Sequence, residues 1–259
     1  VYKRQPLLIV KNLNASFAVK GRSEPIKALK SVSFDLYKGE TLGLVGESGS
    51  GKTTLGRIIL RLIEANSGDI IYRGTYLNQL SEKKIRSIRS KIQIVFQDPY
   101  SSLNPRFTVG RMLNEPMEIH KIGKNRQERL NLSVELLQQV GLSEDALNKY
   151  PHQFSGGQRQ RICIARALAC RPEFIILDES VSSLDVSIQA QILNLLNDLK
   201  QIYGLTYIFI SHDLTVVKYM SDRVLIMKSG EIIETGYSDK IYMNPEKEYT
   251  RNLINAIPG

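Results

Sequence analysis

Apolar positions along the chain follow two patterns, short β-rich runs and stripes with helical spacing. Near the amino terminus, polar turns containing Gly and Pro separate short runs, which predict strands of an antiparallel β layer at residues 7–11, 16–19 and 31–37. Mainly apolar runs farther along predict buried, parallel strands at residues 41–45, 92–96, 174–177 and 206–210. A further strand is expected from Ser67, and a last one at residues 223–227 leads into a hairpin.

Stripes of apolar residues at helical spacing follow several of these strands. They predict helices that carry Leu55, Ile58, Ile59, Leu62 and Ile63; Leu132, Leu136, Leu137 and Val140; and Ile188, Ile192, Leu195, Leu196 and Leu199. Between Asp98 and Pro151, prolines and then a helical stripe indicate a mostly helical insertion. The tail from Tyr237 is expected to be helical and peripheral.

Composition narrows the class of protein. With 259 residues, of which 42% are hydrophobic, the chain is long enough for one large α/β domain or two small ones. No apolar run approaches the roughly 18 residues of a membrane span, and the amino terminus lacks a signal-peptide pattern, so we expect an intracellular location. Both cysteines, Cys163 and Cys170, are expected to be small buried hydrophobes.

The net charge of +9 has two interpretations. It suits a nucleic-acid or anionic-membrane partner, for which the densest basic run is Lys83, Lys84, Arg86, Arg89 and Lys91. It equally suits a solvated helix face together with charge that complements a polyanionic nucleotide.

A glycine-rich loop lies between the strand at 41–45 and the helix after it. Its residues are Gly46, Glu47, Ser48, Gly49, Ser50, Gly51, Lys52 and Thr53, followed by Thr54. Glycines let backbone N–H groups turn toward an anion, and the positive end of a helix dipole favours phosphate. The strand and helix on either side favour a phosphate-binding loop over a merely tight turn.

A second anion site is predicted where another helix begins. There the chain reads Ser155, Gly156, Gly157 and Gln158. A Ser-Gly-Gly start exposes a hydroxyl and unhindered N–H groups, as an anion site requires. An ordinary Ser N-cap explains the same residues.

Polar side chains follow three of the predicted buried strands, where ligands of parallel sheets bind. Asp178 is placed to hold Mg²⁺, and Glu179 to orient and deprotonate a water, unless both acids have structural partners. Gln97 is a candidate to bind the metal or the attacking water, and His212 is a candidate to bind a γ-phosphate or a water.

Phe17 lies in the predicted β layer. It either stacks on a nucleotide base or belongs to the core.

Taken in order, these motifs resemble the nucleotide-binding subunit of an ABC transporter over essentially the whole chain. The set consists of residues 46–53, Gln97, 155–158, 178–179, Asp185 and His212. The resemblance implies an α/β fold, with a P-loop NTPase (RecA-like) core, an N-terminal antiparallel β layer and an inserted helical subdomain. It puts the β layer and core at residues 1–97 and 159–236, the helical signature subdomain at 98–158 and a C-terminal tail at 237–259.

The resemblance also implies ATP and Mg²⁺ as cofactors and a role for each motif residue. Lys52 and the loop N–H groups would hold the β- and γ-phosphates. The metal would be held by Thr53, Asp178 and Gln97, the last also contacting the water. Glu179 would act as general base, His212 would contact the γ-phosphate, and Phe17 would occupy the place of the adenine-stacking aromatic.

The resemblance also implies that the second anion site acts together with a partner subunit. Ser155 and Gly157, within the signature Ser155 to Gln158, would bind the γ-phosphate of ATP held by a second subunit. Asp185 would pass between the two sites. The loop at 46–53 would then be half of an active site, and ATP binding and dimer formation would strengthen each other.

Other residues resemble a subgroup, the ATPases of bacterial peptide and nickel importers. They are residues 97–106, 150–153 and 256–258. Expected partners are transmembrane permease subunits, a second ATPase subunit in a homodimer or heterodimer and, indirectly, an extracytoplasmic solute-binding protein, at the cytoplasmic face of the membrane. Two residues depart from the family pattern, Phe154 in place of Leu and Ser180 in place of Pro, and the second departure would loosen the turn after Glu179.

Two alternatives belong to other classes. A soluble ABC ATPase that acts on nucleic acid or ribosomes would use the positive charge, but such proteins usually have two cassettes or a long coiled-coil insertion. A P-loop GTPase or small-molecule kinase does not explain residues 155–158, and the sequence has no Asn-Lys-x-Asp guanine signature.

Overall fold

The strands form an antiparallel group and a mainly parallel group in the computed structural model, which describes residues 5–18, 21 and 24–256. The strands are β1 (Pro6–Phe17), β2 (Ile26–Tyr37), β3 (Thr41–Val45), β4 (Ser67–Tyr72), β5 (Thr75–Tyr76), β6 (Ile92–Val95), β7 (Phe174–Asp178), β8 (Thr206–Ile210), β9 (Arg223–Lys228) and β10 (Glu231–Tyr237). The α-helices are α1 (Lys52–Ile59), α2 (Glu82–Arg89), α3 (Pro99–Ser102), α4 (Val109–Ile119), α5 (Arg126–Gln139), α6 (Gly156–Leu168), α7 (Val186–Tyr203), α8 (Leu214–Met220), α9 (Ser238–Met243) and α10 (Glu248–Asn255). Short 3₁₀ turns lie at Leu77–Gln79, Glu144–Asn148 and Pro151–Gln153.

Contacts divide the chain into two units. The first unit contains the described residues up to Ile85 and those from Thr206 onward, and the second contains Arg86–Leu205. No helix in the described part of the chain is long and apolar enough to cross a bilayer.

An antiparallel sheet in the order β2-β1-β4-β5 forms one layer of the first unit. The prediction of two short strands at 7–11 and 16–19 is wrong, because β1 is continuous from Pro6 to Phe17. Register shifts between Val10 and Ala15 disturb the side-chain alternation without ending the pairing to β2. Val19, which the prediction included, lies outside the described residues.

The first unit also holds four neighbouring strands in the order β10-β9-β3-β8. β3 runs parallel to both β8 and β9, and β10 closes an antiparallel hairpin with β9. All residues of β3 and β8 are buried, which is why these strands read as continuous apolar runs instead of alternating ones. The carboxyl ends of β3 and β8 are adjacent, with Leu44 opposite Ile210.

Helix α1 is shorter than its apolar stripe predicts. It ends at Ile59, and Leu62 has half of its surface exposed. The chain reverses at Arg61, which has a positive φ of 50°. The Arg61 guanidinium donates to the carbonyl oxygens of Leu77 and Leu80, at 3.0 and 2.6 Å, so a polar side chain fixes the turn.

The second unit combines helices with two parallel strands, β6 and β7, which pair with Val95 opposite Leu177. Its helices α3 to α5 confirm the helical insertion predicted after Asp98. Helix α7 buries Ile192, Leu196 and Leu199 of the predicted stripe, whereas Ile188 and Leu195 are half-buried.

The cysteines and the tail also agree with the sequence patterns. Cys163 and Cys170 are both buried, and burial raises the pKa of each thiol to about 11, so they behave as small hydrophobes. The tail is helical in α9 and α10, while Ile257 and Pro258 lie outside the described residues.

Candidate nucleotide-binding and hydrolysis site

The phosphate loop leaves the buried end of β3 and enters α1 at Lys52. The Lys52 side chain is only 4% exposed, and its Nζ donates to the carbonyl oxygens of Gly46 (2.7 Å) and Glu47 (2.9 Å) and lies 3.4 Å from Ser50 Oγ. The loop therefore wraps the ammonium group. Glu47, Ser48 and Gly49 are exposed on its outer turn, and Thr53 and Thr54 lie half-buried in the first turn of α1.

Two glycines of this loop pack directly against the backbone of neighbouring strands, with no space for a side chain. A Cβ on Gly46 would lie 2.1 Å from the carbonyl oxygen of Met227. A Cβ on Gly51 would lie 2.4 Å from the carbonyl oxygen of Ala28, and Gly51 also has a φ of 104° that L side chains rarely adopt. The glycines thus allow the loop to rest directly on β9 and β2.

His212 lies at the same edge of the first unit, just after β8. Its side chain is exposed, and the turn around it is fixed by hydrogen bonds. The Asp213 carboxylate accepts from the N–H groups of Thr215 and Val216, and the Asp213 N–H donates to Ser211 Oγ at 3.0 Å. The structure therefore presents both the loop and His212 after the carboxyl ends of neighbouring parallel strands.

Phe17 ends β1 opposite Ile26 and is half-buried. It is neither a fully buried core residue nor a free surface ring. Both roles considered for it from the sequence agree with this position.

In the second unit, Gln97 and Glu179 follow the paired strands β6 and β7 and touch each other. Gln97 Nε2 donates to Glu179 Oε2 at 3.0 Å. Asp178, the last residue of β7, is 3% exposed, whereas Glu179 is half-buried. Parallel pairing brings the two predicted site residues together across 82 positions of sequence.

The backbone of Glu179 is held in an unusual conformation. Its φ is 47°, a left-handed value that costs a non-glycine residue about 1–3 kcal/mol. The Glu179 carbonyl oxygen accepts from both the N–H and the Oγ of Ser182, at 3.1 and 2.9 Å. Ser180, the departure from the family pattern, is buried and its hydroxyl has no hydrogen-bond partner among the described residues.

The signature residues start helix α6 with reciprocal hydrogen bonds. Ser155 Oγ accepts from the N–H of Gln158 at 3.3 Å, and Gln158 Oε1 accepts from the N–H of Ser155 at 3.0 Å. The N-cap interpretation is therefore correct, and it leaves Ser155 and Gln158 exposed, as an anion site also requires.

Asp185 caps α7 beside the start of α6. Its Oδ1 accepts from the N–H of Ile188 at 3.0 Å. A Cβ on Gly157 would lie 2.5 Å from Ile188 Cγ2, so glycine at this position lets the two helix starts pack closely. The structure brings Asp185 and the signature together within the second unit.

Two arginines of α6 that the sequence patterns did not single out hold the subgroup residues in place. Arg159 stacks on Tyr100, 3.9 Å from the ring centre, and donates to the Pro151 carbonyl oxygen at 2.8 Å. Arg166 donates to the Ser102 carbonyl oxygen at 2.5 Å. The signal available in the sequence was the presence of three arginines, Arg159, Arg161 and Arg166, on a helix with many apolar positions, since cations on a largely buried helix need partners.

The remaining candidate features are simpler. Lys83, Lys84 and Arg86 are exposed on α2, which agrees with both interpretations of the positive charge. In the described part of the chain, no three His, Cys, Asp or Glu side chains form a cluster able to hold a metal ion.

Comparison with protein families gives a match to the model described as ABC transporter over residues 29–182. The chain is 51% identical to the oligopeptide transport ATP-binding protein OppF of Bacillus subtilis (strain 168), covering 98% of this chain and 83% of OppF. It is 52% identical to a putative peptide import ATP-binding protein of Brucella ovis, covering 98% and 79%.

Solved structures agree with these sequence matches. The dimeric ATP-binding cassette MJ0796, bound to ADP and Pi, aligns with a TM-score of 0.80 at 31% identity, covering 89% of this chain and 98% of that one. CbiO1 of Clostridium perfringens, part of the transporter complex CbiONQ, aligns with a TM-score of 0.79 at 28% identity, covering 98% and 96%. The predicted fold class is confirmed.

Proposed function

The chain belongs to the ABC transporter family as an ATP-hydrolysing ATP-binding protein, and from this premise we propose that it powers a bacterial importer of peptides. The observation that carries the proposal is the phosphate loop, in which Lys52 is buried and wrapped by backbone carbonyls. The names of the relatives favour peptides as cargo. Nickel chelates are the alternative cargo that the resemblance to the importer subgroup implies. The names of the relatives do not favour an ATPase that acts on nucleic acid or ribosomes.

ATP binding follows from the chemistry of the loop. Lys52 Nζ exchanges the carbonyl oxygens of Gly46 and Glu47 for oxygens of the β- and γ-phosphates, which bind an ammonium ion more strongly because they are charged. The loop N–H groups of residues 46–54 and the start of α1 add hydrogen bonds to the same phosphates. Phe17 is proposed to support the adenine ring.

The oxygen donors proposed for magnesium suit that ion. Thr53 offers a hydroxyl, Asp178 a carboxylate and Gln97 an amide oxygen, and Mg²⁺ prefers hard oxygen ligands. Magnesium, when bound, neutralises charge on the phosphates and stabilises the transition state.

Glu179 is proposed as the general base for the attacking water. Its carboxylate is held at 3.0 Å by Gln97, which fixes the side chain without removing its capacity to accept a proton. The left-handed backbone at Glu179, tied by Ser182, sets the direction in which the carboxylate points. His212 is proposed to donate a hydrogen bond to the γ-phosphate.

A second ATPase subunit is proposed to complete the site. The exposed Ser155 hydroxyl and the N–H groups at the start of α6 are suited to the γ-phosphate of ATP bound by that subunit, with Asp185 beside them. Permease subunits, and indirectly a solute-binding protein, are the remaining proposed partners, at the cytoplasmic face of the membrane. The proposed division of the chain is the β layer and core at 1–97 and 159–236, the signature subdomain at 98–158 and the tail at 237–259.

The test has a biochemical and a cellular part. Purified chain should bind ATP, and Lys52→Ala should abolish binding while retaining the folded state by circular dichroism. Cells that lack the gene should lose uptake of labelled oligopeptides, and the wild-type gene should restore it where Lys52→Ala does not. Loss of nickel uptake with normal peptide uptake would overturn the cargo assignment.

A further inference from the structure

The phosphate loop is packed on the end of β9 and the turn after it. A Cβ on Gly46 would lie 2.1 Å from the Met227 carbonyl oxygen, so there is no room for a side chain between the loop and the strand. The N–H of Gly230 donates to the Ser50 carbonyl oxygen at 3.0 Å. Residues that fix the position of the end of β9 therefore also fix the position of the phosphate loop.

Tyr249 of α10 contacts this region from the tail. The ammonium nitrogen of Lys228, the residue after Met227, lies 4.4 Å from the centre of the Tyr249 ring. The phenolic oxygen is buried, and no residue in the described ranges forms a hydrogen bond of normal geometry with it. Burial raises the pKa of Tyr249; the backbone of Glu47 lowers it and the Glu47 carboxylate raises it, so this hydroxyl lies beside Glu47.

The start of α10 is anchored to β10, which keeps Tyr249 in place. The two carboxylate oxygens of Glu234 accept from the N–H groups of Glu246 (2.8 Å) and Lys247 (3.1 Å). Burial alone would raise the pKa of Glu234, but the nearby Thr250 hydroxyl and these N–H groups lower it below its usual value. Tyr249 is thus presented to the loop by a fixed helix start.

Glu47 is the one acidic residue among residues 46–54. Its carbonyl oxygen helps to hold Lys52, whereas its side chain is negative in a loop that receives a polyanion. Charges of the same sign repel, more strongly where water is partly excluded. ATP binding is therefore favoured if the carboxylate is held on the side away from the phosphates.

We propose that Tyr249 is a positioning residue for ATP binding, which donates its phenolic proton to the Glu47 carboxylate and holds it on the tail side of the phosphate loop. A phenol has a donor proton, a carboxylate is an acceptor only, and the buried phenolic oxygen has no other hydrogen bond of normal geometry within the described residues. This inference rests on the proposed assignment of the phosphate loop. It gives α10 a part in nucleotide affinity that no motif of the sequence indicates.

The experiment compares the affinity of the purified full-length chain for MgATP, measured by calorimetry, in matched variants. Tyr249→Phe keeps the ring on Lys228 and removes the hydroxyl, so the Kd should rise about two- to tenfold, as loss of one net hydrogen bond implies. Tyr207→Phe is the control, because Tyr207 is also a buried phenol but lies at the start of β8, at the opposite end of that strand from His212. Its Kd should equal that of the wild type, and thermal unfolding should verify that both variants are folded.

A second comparison separates positioning from simple packing. In a Glu47→Gln background there is no negative charge to hold away, so Tyr249→Phe should no longer change the Kd. An equal rise of the Kd in both backgrounds would overturn the positioning role. Lys52→Ala separates the two levels of the argument: if it abolishes ATP binding while Tyr249→Phe has no effect, the tyrosine inference is wrong and the loop assignment stands. If Lys52→Ala binds ATP normally, the loop assignment is wrong.

Discussion

Replacing Glu179 by glutamine should stop hydrolysis and spare ATP binding. The amide retains the size of the side chain and an oxygen that accepts the 3.0 Å hydrogen bond from Gln97 Nε2. The two hydrogen bonds from Ser182 go to the backbone carbonyl of residue 179 and are unaffected by the exchange. Only the basicity of the side chain is lost.

The size of the effect follows from the role of a general base. Such a group contributes about 10²- to 10⁴-fold to the rate, which corresponds to about 3–5 kcal/mol of transition-state stabilisation. We therefore expect the hydrolysis rate of Glu179→Gln to fall by at least about a hundredfold, with the Kd for MgATP within about twofold of the wild type.

The assay is a single-turnover measurement with γ-labelled ATP, made with the complete transporter so that dimer formation is not limiting. The matched control is Glu173→Gln, which neutralises a half-buried carboxylate at the opposite end of β7 and should leave the rate unchanged. Hydrolysis by Glu179→Gln at the wild-type rate would refute the base assignment. A large loss of ATP affinity would instead show that the carboxylate is needed for binding.

Three further substitutions test the packing at the signature and charged groups elsewhere in the chain. Gly157→Ala would bring a Cβ to 2.5 Å from Ile188 Cγ2. The free energy of unfolding, measured by denaturation, should therefore fall by about 1–3 kcal/mol, and ATP-dependent dimer formation, measured by light scattering, should be reduced. Unchanged values of both quantities would contradict the contact. Arg223→Ala leaves the buried Glu40 carboxylate without its 2.9 Å ion pair, so the free energy of unfolding, measured with urea, should fall by about 2–3 kcal/mol. A fall of less than about 0.5 kcal/mol would show that the ion pair is unimportant. The pKa of Glu234 is lowered in the folded state, so its contribution to stability is present above the ordinary carboxyl pKa and is lost as the pH falls through the lowered value. Glu234→Gln should therefore be less stable than the wild type at neutral pH and should lose less stability on acidification. Parallel pH profiles of the two proteins would rule this out.

Local sequence was sufficient for most of the individual elements. The strand at residues 206–210 has the predicted bounds, because a strand buried on both faces is mainly apolar. Ser155 begins α6 as predicted, because a Ser followed three residues later by Gln satisfies two exposed N–H groups by itself. Local patterns failed where tertiary contacts decide the chain path, as in the bulged continuous β1 and in the early end of α1 at Ile59, before the turn held by Arg61.

The sequence by itself predicts which residues carry the chemistry, because a phosphate loop, a strand-end carboxylate pair and a helix-start serine are each specified within a few neighbouring residues. Tertiary structure alone decided which of them meet. Gln97 and Glu179 touch because β6 and β7 pair in parallel, and Asp185 lies at the signature because Gly157 permits close packing on Ile188. Tyr249 lies beside Glu47 although 201 other residues separate them in sequence, and a contact of that kind depends on the packing of the whole first unit, which no local pattern of residues records.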